Sequence, residues 1–82
     1  MRKTRILIAD DELIIIKLLR ANLEAKGYEV MAAMNGAEAI TVFEMGSPDL
    51  MLLDIMMPKM DGFEVCRQIR EWYKVPSIML SA

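Results

Sequence analysis

The segment Leu50-Met51-Leu52-Leu53-Asp54 sets four apolar residues directly before an acid. A short, continuously apolar run of this kind predicts a strand that is covered on both faces. The segment Ile6-Leu7-Ile8-Ala9 has the same character, and Asp10 and Asp11 follow it at once. Two strands of the buried type are therefore predicted to end in carboxylates.

Further strands and helices alternate around these two runs. We predict strands at 6–9, 28–32, 50–53 and 76–80, a helix ending near Lys26, a helix over Ala37–Met45 capped by Asn35, and a helix from the cap Asp61 to about Trp72. The core side of the last helix is predicted to be Phe63, Val65, Cys66 and Ile69. This alternation predicts an α/β fold, in which helices cover both faces of a parallel sheet.

Composition excludes several classes of protein. The length of 82 residues suggests one domain, and 55% hydrophobic with 27% charged residues is typical of a globular chain. A net charge of −2 without a large basic cluster argues against nucleic-acid binding by this chain. Because Cys66 is the only cysteine and histidine is absent, a disulfide framework and a Cys/His zinc site are excluded. No apolar run is long enough to span a bilayer.

The acids at the strand ends point to a joint site. In an open parallel sheet, ligands bind beyond the carboxyl ends of the strands. If the first and third strands are neighbours, Asp10, Asp11 and Asp54 meet there, and their mutual repulsion would raise some of their pKa values. Bound Mg²⁺ would remove that repulsion, since it is held by one or two carboxylates together with phosphate oxygens. This arrangement suits phosphoryl transfer in which a carboxylate is the nucleophile.

Plainer explanations stay open for each acid. Asp11 could cap the first helix, which is worth ~1 kcal/mol. Asp54 could be an ordinary loop residue after a strand. Taken together, these explanations leave unexplained why acids directly follow two strands of the buried type, so we favour the joint site. Leu13 and Ile14 lie off the apolar face of the first helix. They could be isolated surface hydrophobes or part of a contact face.

Six motifs, in this order, carry a more specific pattern. They are Ile6-Leu7-Ile8-Ala9-Asp10-Asp11-Glu12, Gly27-Tyr28-Glu29-Val30, Asn35-Gly36-Ala37-Glu38-Ala39, Pro48-Asp49-Leu50-Met51-Leu52-Leu53-Asp54-Ile55-Met56-Met57-Pro58, Met60-Asp61-Gly62-Phe63-Glu64 and Pro76-Ser77-Ile78-Met79-Leu80-Ser81-Ala82. Together they resemble the response-regulator receiver domain of two-component signalling. The resemblance implies a flavodoxin-like, doubly wound parallel sheet of four strands, in the order 2-1-3-4, with three helices. Residues 1–82 would be the N-terminal portion of that domain.

The resemblance also implies a role for five residues. Asp54 would accept phosphate from the phosphohistidine of a sensor histidine kinase. Asp10 and Asp11 would hold Mg²⁺, and Met56 would add its backbone carbonyl. Ser81 would supply a hydroxyl to the phosphoryl oxygens, which are strong acceptors.

The sequence departs from the family pattern in one respect. The family's domain continues through one more strand and two more helices. That strand carries an aromatic switch residue, and just after it comes a lysine that pairs with the phosphoryl group. Lys59 does not occupy that lysine's position, so no lysine role is transferred. We therefore expect this chain to be phosphorylated poorly or not at all. We also expect an exposed fourth strand, which would pair with another copy in a homodimer or a domain-swapped oligomer.

Other functions are less well supported. One alternative is a receiver-like interaction module without phosphotransfer. A remote one is a Mg²⁺-dependent phosphohydrolase, but the chain has no histidine, and Met56 stands where such an enzyme would place an acidic residue. A dinucleotide-binding fold would need a glycine-rich turn after the first strand. We expect a cytoplasmic protein that is not itself an enzyme and does not contact the membrane.

Overall fold

The computed structural model describes residues 2–57 and 60–80. Strands and helices alternate along the chain. The elements are β1 (Arg5–Ala9), α1 (Leu13–Ala25), β2 (Glu29–Ala33), α2 (Gly36–Gly46), β3 (Leu50–Asp54), α3 (Gly62–Arg70) and β4 (Ser77–Leu80). Within the described residues no helix is both long and apolar enough to cross a membrane.

The four strands form one parallel sheet in the order β2-β1-β3-β4. This confirms the strand order implied by the family resemblance. The register sets Ala9 of β1 opposite Leu53 of β3 and opposite Ala33 of β2. All four strands therefore present their carboxyl ends at one edge of the sheet.

Alternation along the strands divides the core into two layers. Ile6 and Ile8 point to one face, where Ile16 of α1 covers them. Leu7 and Ala9 point to the other face, which belongs to the larger core under α2 and α3. That larger core also contains Phe43, Met51, Leu53, Val65 and Ile69. Helices thus lie on both faces of the sheet, as the apolar character of the strands predicts.

Side-chain caps fix the beginnings of α2 and α3. Asn35 accepts a hydrogen bond from the Glu38 amide at 2.8 Å, which confirms it as the predicted cap of α2. In the usual capping box, the Glu38 carboxylate would accept from the amide of the cap residue Asn35. Here it accepts from the amide of Met34, the residue before the cap, at 3.2 Å. Asp61 caps α3 in the same way, accepting from the amide of Glu64 at 2.9 Å.

Two predictions about α3 are wrong. Phe63 was expected in the core but is 58% exposed. The buried side of α3 is set by Val65 and Ile69, and a position two residues before Val65 lies about 200° around the helix. The helix also ends at Arg70 instead of near Trp72. There the chain turns, and the ring of Tyr73 packs edge-on against Phe43 with centroids 5.0 Å apart.

Two strands begin one residue later than predicted. The amide of Tyr28 donates back to the carbonyl of Leu23 at 3.1 Å, so Tyr28 belongs to the turn after α1 and β2 begins at Glu29. Pro76 has no N–H to give to the sheet, and β4 begins at Ser77.

Candidate functional site

Asp10 directly follows β1 and is only 6% exposed. Its backbone amide continues the sheet by donating to the carbonyl of Ala33 at 3.1 Å. Its carboxylate accepts a hydrogen bond from the amide of Glu12 at 2.8 Å. An aspartate that bonds the amide two residues on turns the chain sharply. The apolar strand and this turn together place the Asp10 carboxylate at the edge of the sheet.

Asp54 is the last residue of β3 and is 9% exposed. The next amide, that of Ile55, donates to the carbonyl of Leu80 at 3.1 Å and so ties the strand end to β4. The Asp54 carboxylate accepts from the amide of Met56 at 3.1 Å. Among the described residues, this is the one hydrogen bond recorded to that carboxylate. Asp54 is therefore a fixed strand residue, and its interpretation as an ordinary loop residue is wrong.

Asp11 stands between Asp10 and α1 and is exposed. Glu12, not Asp11, occupies the cap position of α1, and no side chain bonds the first amides of that helix. The alternative in which Asp11 serves as the helix cap is therefore wrong. Its carboxylate is available on the solvent side of the site.

The three acids converge at the carboxyl edge of the sheet. One carboxylate oxygen from each of Asp10, Asp11 and Asp54 lies within 4.8 Å of the other two. Because β1 and β3 are neighbours and Ala9 pairs with Leu53, the residues that follow these two stand side by side. The predicted meeting of the three carboxylates is confirmed.

Burial, together with the neighbouring charges of Asp54 and Asp11, raises the pKa of Asp10 above its ordinary value. Loss of solvent around the carboxylate is the largest cause of this rise in pKa. The hydrogen bond from the Glu12 amide acts in the opposite direction but does not cancel it. Within residues 2–57 and 60–80, the recorded ion pairs join Arg2, Arg5 and Arg67 to acids elsewhere, so none of them offsets this negative charge.

This arrangement suits a small, hard divalent cation. Three carboxylate oxygens are the ligand type that Mg²⁺ prefers, and the exposed side at Asp11 leaves room for water or phosphate oxygens. The negative charge that raises the pKa of Asp10 is the charge that such a cation would offset. The three converging carboxylates thus fit Mg²⁺, because they offer oxygen ligands and not the nitrogen or sulfur that a softer metal prefers.

An open cleft of about 550 Å³ lies beside the carboxylates. Its lining includes Asp11, Met56, Met57 and Asp61. Asp61 caps α3 through its Oδ1 and is not among the three acids whose carboxylate oxygens converge. Met56 is 72% exposed at the mouth, and Met57 is buried against the core.

One expected residue is not tested by the structure, and one contact of the site was not expected. Ser81, expected to contact the phosphoryl group, lies outside the described residues. Gly62, which was not singled out, packs against the backbone of Asp54. The only signal for it in the sequence is a glycine placed directly after the cap Asp61, and that signal says nothing about what the glycine touches.

Comparisons with known proteins agree with this geometry. The family model described as "Response regulator receiver domain" matches residues 6–82. A relative named probable transcriptional regulator ycf27, from Cyanophora paradoxa, is 45% identical over 82 residues, which are 100% of this chain and 34% of the relative. The alkaline phosphatase synthesis transcriptional regulatory protein PhoP of Bacillus subtilis is 48% identical over 79 residues, which are 95% of this chain and 33% of that protein. The chain thus spans about a third of the length of the curated relatives it matches.

A solved structure shows the same fold. The response regulator protein TrrA of Thermotoga maritima, in complex with Mg²⁺ and BeF, superposes with a TM-score of 0.91 at 45% identity. The match covers 96% of this chain and 70% of that one.

Proposed function

The chain belongs to the response regulator receiver domain family, and from this premise we propose that Asp54 accepts a phosphoryl group from the phosphohistidine of a sensor histidine kinase. The observation that carries the proposal is the convergence of three carboxylates at neighbouring strand ends, within 4.8 Å of one another. One of them, Asp54, is held by the sheet and by a single hydrogen bond to its side chain.

Asp54 is suited to the nucleophile's role by its position. The Met56 amide fixes one of its carboxylate oxygens, Oδ1, and among the described residues no hydrogen bond is recorded to the other, Oδ2. In the proposed transfer, a carboxylate oxygen attacks phosphorus, the phosphorus–nitrogen bond breaks, and its electron pair returns to the imidazole of the donor. The product is an acyl phosphate on Asp54.

Asp10 and Asp11 would hold Mg²⁺ in this proposal, together with Asp54 and the backbone carbonyl of Met56. When bound, the cation offsets charge on the transferring group and orients it in line with the attacking oxygen. TrrA was solved in complex with Mg²⁺ and BeF, which supports the choice of cation by similarity. The role of Ser81 stays a prediction from the family resemblance.

Magnesium binding tests the site directly. We expect wild-type chain to bind Mg²⁺, and both Asp10→Asn and Asp54→Asn to bind it at least about tenfold more weakly, because each change removes a charged ligand. Isothermal titration with MgCl₂ measures this. Asp49→Asn is the matched control, since Asp49 carries the same charge but bonds Arg2 and Arg5 near the start of β1. Affinity unchanged in both site variants would contradict the proposal.

The wider setting follows from the relatives. The names of the two curated relatives describe regulators of transcription, and this chain covers about a third of each. We propose that the chain is the signal-receiving part of such a regulator, acting in the cytoplasm, with residues 1–82 as one structural unit. A phosphohydrolase is less well supported, because the chain has no histidine and Met56 stands where such an enzyme would place an acidic residue.

The outer edge of β4 supports a second candidate function, self-association. In the described residues β4 pairs only with β3, and Ile78 on it is 52% exposed. An unpaired strand edge with an exposed apolar side chain is a template for another strand. For the chain of residues 1–82 itself, we propose that two copies pair through β4.

Light scattering tests this pairing over a range of concentrations. We expect a dimeric mass at high concentration for the wild type and a monomeric mass for Ile78→Lys, since a charge on the edge strand opposes pairing. Met45→Lys is the matched control, because Met45 is 83% exposed but lies on α2. A monomeric wild type at every concentration would exclude the dimer.

A further inference from the structure

Gly62, the first residue of α3, is buried against the end of β3. A Cβ atom at this position would overlap with the carbonyl oxygen of Asp54. It would also lie 3.0 Å from the carbonyl carbon of Asp54 and 3.4 Å from the Cα of Ile55. All three neighbours are backbone atoms, so no side chain can rotate away to make room. Only a hydrogen atom fits between α3 and the backbone of Asp54.

Neither side of this contact is free to retreat. On the strand side, the amide of Ile55 donates to the carbonyl of Leu80, while its own carbonyl accepts from the amide of Gly62 at 3.2 Å. On the helix side, Val65 is fully buried and Ile69 is 3% exposed, so the core holds α3 down. A side chain at position 62 would therefore force a shift into the segment that joins β3 to α3.

That segment begins with the backbone around Asp54. The Met56 amide bonds the Asp54 carboxylate at 3.1 Å, and Met57 anchors the following turn in the core. We propose that Gly62 is a positioning residue of the phosphoacceptor site. By lacking a side chain, it sets the separation between α3 and the end of β3, and through it the positions of the Asp54 carboxylate and of the Met56 backbone. The inference rests on the proposed function, because it assigns those two groups to the metal site.

None of the other described glycines contacts the end of β3. A Cβ on Gly36, the first residue of α2, would overlap with the backbone carbonyl oxygen of Met60 and so would not meet Asp54. Gly27 has a φ of 92° in the turn between α1 and β2, and a Cβ there would meet nothing within 4 Å. A Cβ on Gly46, the last residue of α2, would meet only the flexible side chain of Met31. Gly27 lies at the amino-terminal end of β2, across the sheet from the acids. Gly27→Ala therefore strains the backbone without touching the site, which makes it a control for lost stability.

The test compares Mg²⁺ binding by the wild-type chain, Gly62→Ala and Gly27→Ala. Each titration is run at a temperature where circular dichroism shows that the variant is folded. We expect Gly62→Ala to weaken Mg²⁺ binding by about tenfold, the usual effect of disturbing the groups that orient metal ligands. Gly27→Ala should melt at a lower temperature than wild type yet bind Mg²⁺ as wild type does.

A spectroscopic measurement separates positioning from general damage. The amide resonance of Met56 reports its hydrogen bond to Asp54, and we expect it to shift in metal-free Gly62→Ala but not in Gly27→Ala. Wild-type affinity together with an unshifted Met56 resonance in Gly62→Ala would overturn the inference. If Gly62→Ala does not fold, the measurement is repeated in trimethylamine N-oxide, which favours the compact state. A chain that stays unfolded there would also overturn it, since Gly62 would then serve folding as a whole.

The same titrations keep the two proposals apart. If the wild-type chain does not bind Mg²⁺, the proposed function fails, and the role of Gly62 fails with it. If the wild type binds Mg²⁺ and Gly62→Ala binds it equally well with an unshifted Met56 resonance, only the positioning role is lost.

Discussion

The chain leaves the sheet in the same manner after β1 and after β3, but the two exits differ in charge. Asp10 accepts a hydrogen bond from the amide of Glu12 at 2.8 Å, and Asp54 accepts one from the amide of Met56 at 3.1 Å. In both places an aspartate fixes the turn by bonding the amide two residues on. The two residues after Asp10 are acidic, whereas the two after Asp54 are apolar.

This difference separates two tasks within one site. The exit after β1 concentrates negative charge, which raises the pKa of Asp10 and favours a cation. The exit after β3 presents one carboxylate, Asp54, beside the exposed side chain of Met56 and the buried side chain of Met57. We infer that the first exit serves the metal alone, whereas the second contributes ligands to the metal and also forms the bond to phosphorus.

The largest effect is expected at Asp54. Asp54→Asn should abolish phosphorylation by acetyl phosphate and Mg²⁺, because an amide cannot form the acyl phosphate. Intact-mass spectrometry measures the added phosphoryl group, and peptide mapping locates it.

Asp61→Asn is the control for that experiment. Asp61 lines the same cleft, and asparagine preserves its capping bond to the amide of Glu64, so phosphorylation should stay at the wild-type level. A phosphoryl group that the mapping places on Asp61, or any phosphoryl group on the Asp54→Asn chain, would contradict the assignment of Asp54 as the phosphoacceptor.

A smaller effect is expected at Asp10, where a substitution should raise the stability of the metal-free chain. Burial and the charges of Asp54 and Asp11 raise the pKa of Asp10, so the folded chain binds its proton more tightly than the unfolded chain does. Stability should therefore fall as pH rises through the interval from the ordinary pKa to the raised one, and stay low above it. Asp10→Asn removes that loss and preserves the bond from the Glu12 amide. In the absence of Mg²⁺ at neutral pH, it should stabilise the chain by about 1 kcal/mol.

Urea unfolding of metal-free protein at several pH values measures this effect. The gain of Asp10→Asn over wild type should shrink at acidic pH, where Asp10 is protonated, and it should also shrink when Mg²⁺ is added to the wild type. If Asp10→Asn is less stable than wild type at neutral pH, the charge of Asp10 does not destabilise the metal-free fold.

Local sequence predicted the elements of this fold better than it predicted their contacts. The caps Asn35 and Asp61 and the strand end at Asp54 depend on a few adjacent residues, and all three are found where they were expected. Phe63 was misplaced because its apolar character alone does not reveal which side of α3 faces the core. The phase is set by Val65 and Ile69, whose burial depends on the sheet beneath them.

Predicting the candidate site required information beyond the local sequence. Apolar runs predicted that Asp10 and Asp54 each follow a strand, but no feature of those runs says that β1 and β3 are neighbours. The strand order came from the family resemblance and is confirmed by the pairing of Ala9 with Leu53. The contact of Gly62 with Asp54 could not be predicted, since it depends on how closely α3 approaches β3.

The smallest change in stability is expected at Asp11, where the exit after β1 meets solvent. Asp11 is exposed, and no hydrogen bond involving its side chain is recorded among the described residues, so Asp11→Asn should alter the free energy of unfolding by less than about 0.5 kcal/mol. It should still weaken Mg²⁺ binding, because one of the three converging carboxylates is lost. Glu24→Gln, on the exposed face of α1, makes the same change in net charge away from the site. Equal Mg²⁺ affinity in these two variants would mean that Asp11 adds only to the overall field, leaving Asp10 and Asp54 as the metal's carboxylates.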